Sequence, residues 1–135
     1  MSRPSPGHRR WPDHHIREER LREPMEVEVE GVVVASSQDV IKVIEDKAPD
    51  RYYFPRADVR MEKLAPSPTT SECPFKGTAS YYSLGLGERR LEDSVWSYED
   101  PFDEHLALKD RMAFYDDKYP EIHVARSSGR AGAGG

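Results

Sequence analysis

Two short alternating segments, each folded about a two-residue turn, limit this chain more than any other feature. In the first, Val27, Val29, Val32 and Val34 flank Glu30-Gly31. A turn there pairs Val29 with Val32 and Val27 with Val34, so all four valines share one face and Glu26 and Glu28 take the other. In the second, Gly87-Glu88 has glycine first, as a type II′ turn prefers, and pairs Leu86 with Arg89 and Leu84 with Leu91. Extending that register sets Tyr82 opposite Asp93, Ser80 opposite Val95 and Ala79 opposite Trp96. One face then carries Tyr82, Leu84, Leu86, Leu91 and Val95 with Asp93 among them. The other carries Tyr81, Ser83, Arg90, Glu92, Ser94 and Trp96.

Further strands are expected at residues 40–45, 52–54, 60–64 and 112–115, with a last edge strand around Ile122 and Val124. Ile41 and Val43 fall on one face of the first of these, Val40, Lys42 and Ile44 on the other. Pro55 confines residues 52–54 to a strand end or an edge. Turns are expected at residues 48–51 and 99–102, one helical turn at 56–59 and a short helix at 103–109. Residues 65–77 hold three prolines and no periodicity and read as a long loop, a class enriched in function.

A chain of 135 residues favours a single domain. We expect it over residues 25–125, preceded by a flexible basic, proline-rich arm at 1–24 and followed by a flexible Gly/Ala tail at 126–135. Within the arm, residues 16–22 are expected as a short charged helix ended by Pro24. The arm is either solvated or folded over the domain or a partner with Trp11 as anchor. Its histidines, His8, His14 and His15, have metal-ligand chemistry but a spacing that sets no geometry.

The net charge is −5, and residues 25–125 carry 12 basic against 21 acidic side chains, so the core repels polyphosphate and no nucleic acid is expected to bind it. A single cysteine excludes an internal disulfide and any multi-cysteine zinc site. No apolar run approaches the roughly 20 residues of a membrane span. The first 24 residues lack the apolar core of a secretory signal. A cytoplasmic monomer or homodimer without metal or cofactor is the expectation.

Chemistry concentrates in the middle third. Cys73 is a nucleophile candidate if Lys76 supplies a cationic neighbour, and otherwise a small buried hydrophobe. Asp93, on an apolar face, is either a general acid or base with raised pKa or a structural carboxylate bonded to a loop amide or hydroxyl. Tyr53, Tyr81, Trp96, Tyr98 and Tyr115 are candidates to wall a pocket for a flat or apolar ligand. Lys76-Gly77 lacks the upstream glycine and the following Ser/Thr of a phosphate-binding loop.

The chain resembles the family known as domain of unknown function 427, also labelled a nucleotidyltransferase domain. The matching residues are Tyr52-Tyr53-Phe54-Pro55, Asp58-Val59, Met61, Leu64, Thr70, Cys73-Pro74-Phe75-Lys76-Gly77, Ala79 and Tyr81, then Gly87, Asp93, Trp96-Ser97-Tyr98, Pro101 and Ala113-Phe114-Tyr115. The resemblance covers about residues 25–125. It implies a small, mainly β domain of antiparallel hairpins with one or two short helices, two sheets packed as a tent- or barrel-like body similar to Mss4-like folds. The zinc of such relatives needs cysteine pairs, which Cys73 alone cannot supply. The label implies nucleotide transfer, yet no Gly-Ser or Gly-Thr pair here is followed by the Asp-x-Asp spacing that this chemistry uses.

Three functions follow as expectations. The first is a small-ligand domain, with or without catalysis, whose pocket lies between the Cys73 loop and the 79–98 hairpin, with Tyr53, Tyr81, Trp96 and Tyr98 as walls and Lys76 meeting an anionic group. The second is an interaction or homodimerisation module using an edge strand at residues 40–45 or 122–124. The third is metal-dependent nucleotide transfer through Glu92, Asp93, Glu99, Asp100 or Asp103.

Overall fold

The computed structural model describes residues 3–127. One short helix and ten strands follow in chain order: α1 (Pro6–Arg10), β1 (Ile16–Arg20), β2 (Met25–Val29), β3 (Val32–Ser37), β4 (Ile41–Glu45), β5 (Arg51–Tyr53), β6 (Leu64–Cys73), β7 (Gly77–Leu86), β8 (Arg89–Tyr98), β9 (Met112–Phe114) and β10 (Ile122–Arg126). Single 3₁₀ segments at Arg56–Asp58, Met61–Lys63 and Asp103–Leu108 fill connections. The protein is mainly β, as expected, but its strands form three antiparallel sheets rather than two. Their orders are β1-β4-β5, β10-β2-β3 and β6-β7-β8-β9, and among the described residues none closes into a barrel.

The four-stranded sheet is a wall with a core on each face. Val95 and Phe114 join Leu84, Leu91 and the valines of β2 in one cluster. Their chain neighbours Trp96 and Ala113 join Ala79, Tyr98, Tyr53, Ile41 and Val43 in the other. Alternation along β8 and β9 therefore serves both cores. The second cluster, between this wall and the β1-β4-β5 sheet, positions the candidate site.

The Glu30-Gly31 turn pairs Val29 with Val32 as expected, but Val27 faces Ala35, because Val34 is the extra residue of a bulge. Val34 and Ala35 are both buried while Val32 is exposed, so the four valines do not share one face. The Gly87-Glu88 turn also forms where expected, pairing Leu86 with Arg89 and Leu84 with Leu91. Beyond it Ser83 faces three residues, 92–94, and the register jumps by two. Tyr82 then lies opposite Val95, Ser80 opposite Ser97 and Ala79 opposite Tyr98, not opposite Asp93, Val95 and Trp96.

Three other expectations are corrected. Residues 65–73, read as loop, belong to β6, an edge strand that accommodates Pro66 and Pro68 at a register shift between Pro66 and Thr70. Residues 60–64 form a 3₁₀ turn that enters β6, not a separate strand. Ile16 to Arg20 is a strand rather than a charged helix. It pairs with β4 from Ile16–Glu45 to Arg20–Ile41, and its charged side chains remain half or fully exposed. That pairing makes β4 the middle strand of its sheet, so residues 40–45 offer no free edge, whereas β10 does.

Residues 7–14 pack on the turn after β6. The Gly7 amide donates to the Pro74 carbonyl at 2.8 Å. A Cβ at Gly7 would stand 2.7 Å from that carbonyl oxygen, so only glycine fits there. His14 stacks on Phe75 with centroids 4.6 Å apart, and Trp11, half exposed, lies 6.0 Å from the same ring. The tail from residue 128 onward lies outside the described residues.

Candidate functional site

One face of the β6-β7-β8-β9 sheet meets one face of the β1-β4-β5 sheet, and they leave a cavity of about 230 Å³. Register explains who lines it. On β6, Ser71 and Cys73 point to one side. Ser71 pairs with Ala79 of β7, which pairs with Tyr98 of β8, while Tyr81 pairs with Trp96. Cross-strand partners share a face, so Ser71, Cys73, Tyr81, Trp96 and Tyr98 form one continuous surface with Tyr115 just past β9. The facing sheet supplies Val43 and Glu45 from β4, and Arg51 and Tyr53 from β5. Lys76 closes the cavity from the turn between β6 and β7.

Every expected wall residue, Tyr53, Tyr81, Trp96 and Tyr98, therefore lines a single cavity with Cys73 and Lys76. Asp93 does not. It sits in the β8 bulge at φ 50, partly exposed, with its carboxylate accepting from the Thr69 hydroxyl at 2.8 Å. The Ser67 and Thr69 hydroxyls hold the Asp93 carboxyl below the usual carboxylate range, against the raised value that a general acid would need. Its own amide donates to Ser83 Oγ at 3.0 Å.

Lys76 is buried and spoken for. Its ammonium lies 2.6 Å from Glu45 Oε1, and Glu45 Oε2 lies 2.8 Å from His14 Nε2. The sequence reading had Lys76 meet an anionic group of a ligand, but its anion is supplied by β4. Burial pushes the Glu45 carboxyl up, and the hydrogen bonds from Lys76 and His14 outweigh it and hold the group below its ordinary value. Arg51 is likewise engaged. Its guanidinium reaches Asp117 at 2.8 Å and lies 5.1 Å from the centroids of both Trp96 and Tyr115.

The phenols divide into paired and unpaired. Tyr53 is fully buried and its hydroxyl accepts from the Trp96 indole at 3.1 Å. Burial pushes its pKa up, so it stays protonated. Tyr81 bonds Ser71 Oγ at 2.9 Å and touches the Tyr115 hydroxyl at 3.4 Å. Burial, then Tyr81, pushes Tyr115 up to about 12. Tyr98 is 7% exposed and burial pushes its pKa up strongly. Its hydroxyl makes no hydrogen bond with any described residue, and it is not sealed in protein.

Sequence reasoning did not single out Glu45, Arg51 or Ser71. Glu45 was within reach, because it continues the Ile41, Val43 face of β4 by two residues. Arg51 was not, because residues 48–51 read as a turn whereas the turn falls at Asp46 and Lys47 and β5 begins at Arg51.

Fold and site together define a small mainly β domain with an aromatic cavity between two of its three sheets. The chain belongs to the family described as a domain of unknown function, DUF427, whose model matches residues 17–125 and carries a nucleotidyltransferase label. The match begins at β1, earlier than the resemblance over residues 25–125 indicated. No curated protein matches the chain. Among the described residues no helix is long and apolar enough to cross a membrane, and no three His, Cys, Asp or Glu side chains gather as a metal site.

Proposed function

We propose that this domain binds a small, roughly flat organic molecule in the cavity beside Cys73. The observation that carries this reading is the convergence of Tyr53, Tyr81, Trp96 and Tyr98 on the only cysteine, from three strands of two different sheets. The cavity is about 230 Å³, below the usual range for drug-sized ligands, and a 150 Å³ apolar cavity already holds benzene. A molecule of one ring with small substituents suits it. Its charged wall groups are already paired, Lys76 with Glu45 and Arg51 with Asp117, so the ligand is neutral rather than polyanionic.

Nucleotide transfer, as the family label suggests, has less support from the same residues. Glu99 is held by Tyr82 at 2.6 Å and Arg56 at 3.1 Å, Asp93 by Thr69, and Asp103 by the Arg3 amide at 2.8 Å. None of these carboxylates lines the cavity.

A fragment screen by ligand-observed NMR tests the proposal, repeated after alkylation of Cys73 with iodoacetamide. One-ring hits that disappear on alkylation are expected. Hits that survive it, or a complete lack of hits with nucleoside triphosphates stabilising the protein instead, would overturn it.

A further inference from the structure

We propose that the cavity captures small aldehydes, the Cys73 thiol adding reversibly to the carbonyl carbon while Tyr98 holds the carbonyl oxygen. This rests on the cavity reading above and adds the chemical class of the ligand.

Tyr98 is the first observation. More than nine-tenths of it is buried, yet its hydroxyl has no partner among the described residues and opens on the cavity. That hydroxyl faces the cavity without a partner among the described residues, so a ligand acceptor suits the position. The neighbouring hydroxyls are not available in the same way: Tyr53 is bonded to Trp96, and Tyr81 to Ser71. Because burial keeps Tyr98 protonated, it presents a donor at neutral pH.

Cys73 is the second. It lies on the same sheet face, two residues along β6 from Ser71, which itself stands in the row Ser71, Ala79, Tyr98 across β6, β7 and β8. The cross-strand partner of Cys73 is Gly77, which places no side chain beside the thiol. The thiol-bearing residue and Tyr98 line the same cavity.

A nucleophile and a donor lining one small cavity match an electrophilic carbonyl. The sulfur pair forms the C–S bond, and the carbonyl π pair moves to oxygen. That oxygen, bonded to Tyr98, ends with the thiol proton, giving a hemithioacetal. Nothing leaves, and no oxidant or reductant is consumed.

Benzaldehyde labelled with ¹³C at the carbonyl tests this, with benzyl alcohol as a non-electrophilic control of the same size. On the wild-type chain the labelled carbon is expected to move from its aldehyde position to that of a tetrahedral carbon. The shifted signal should vanish in Cys73→Ser. In Tyr98→Phe, which deletes a hydroxyl without a partner and so keeps the fold, adduct formation should weaken at least tenfold. The iodoacetamide rate of Cys73 in that variant should stay within about twofold, which separates loss of the donor from loss of access. Equal binding of aldehyde and alcohol with no tetrahedral carbon would overturn aldehyde capture and leave the cavity reading standing. Failure of both probes to bind overturns both. An adduct of wild-type affinity in Tyr98→Phe also overturns the proposal.

Discussion

The Lys76 ammonium and the Glu45 carboxylate meet at 2.6 Å and join the turn after β6 to the middle strand of another sheet. With the Lys76 side chain only 7% exposed, this pair holds one side of the cavity together. Replacing Glu45 with alanine strands a buried cation and is expected to cost about 3 kcal/mol. The double change Glu45→Ala with Lys76→Met removes both charges and should cost clearly less than the sum of those two single changes. Urea unfolding of the four chains measures it, and strict additivity would show that the two side chains do not interact.

The same carboxylate sets an acid limit. Glu45 has a folded pKa below its ordinary value of 4.5, so its contribution is complete above that value and is lost as pH falls through the lowered one. Stability is expected to be flat in this contribution near neutrality and to drop below about pH 4.5. In Lys76→Met the drop should be smaller, because burial then acts on the carboxyl with less opposition and the folded value moves back toward the ordinary one. Thermal unfolding between pH 3 and 7 reads this directly.

Trp96 Nε1 donates to Tyr53 inside the second core, where both rings are nearly out of solvent. Tyr53→Phe keeps the shape and leaves the indole donor unpaired. The expected loss is about 1–2 kcal/mol, without change in the unfolding m-value. By contrast, Tyr98→Phe should leave stability unchanged or slightly raised, since its hydroxyl has no partner to lose. A loss in Tyr98→Phe equal to that in Tyr53→Phe would contradict this assignment.

Much of this site was legible because of parity. The bulge at residues 92–94 shifts the β7–β8 register by two, and a shift of two leaves every side chain on its original face. Trp96 and Tyr81 therefore remain together on the cavity side, although their cross-strand partners differ from those that the turn alone implies. Asp93 fares differently, because it is inside the bulge, where neither face nor partner follows from alternation. Glu92, Asp93 and Ser94 are all polar, so no apolar pattern marks where the pairing slips. The strand character of β6 was hidden by Pro66 and Pro68, which only an edge position tolerates, and edge position is a property of the assembled sheet. Likewise β1 has almost no apolar signal. Its five residues are set by backbone pairing to β4, with Ile16 their one apolar side chain.

Asp93 stands at φ 50, a conformation that asparagine and aspartate tolerate better than most residues. Asp93→Asn keeps that tolerance and an acceptor for Thr69, and is expected to cost under about 0.5 kcal/mol. Asp93→Ala loses both and should cost about 1–2 kcal/mol. Neither is expected to change fragment binding at Cys73, because Asp93 does not line the cavity. Paired unfolding and binding measurements on the two variants check both halves of this expectation.

The N-terminal segment is expected to respond to pH. His8 Nε2 and His105 Nε2 lie 3.0 Å apart, and His105 Nδ1 lies 2.6 Å from Glu18 Oε2. An ionised carboxylate only accepts, so His105 Nδ1 donates to it. His105 Nε2 is then placed to accept from His8 Nε2. Burial, then His105, holds His8 below its ordinary value of 6.5, with His14 and Lys76 acting in the same sense and Glu104 opposing them. A lowered histidine pKa means that the packed segment binds fewer protons than a detached one. Packing is therefore complete above pH 6.5 and weakens as pH falls through that value toward the lowered one. Amide exchange across residues 5–11, corrected for its intrinsic pH dependence, should rise between pH 7.5 and 5.5. His8→Gln, which can still donate but does not titrate, should flatten that rise. A profile that is flat in the wild-type chain, or equally steep in His8→Gln, would rule out His8 as the group that responds.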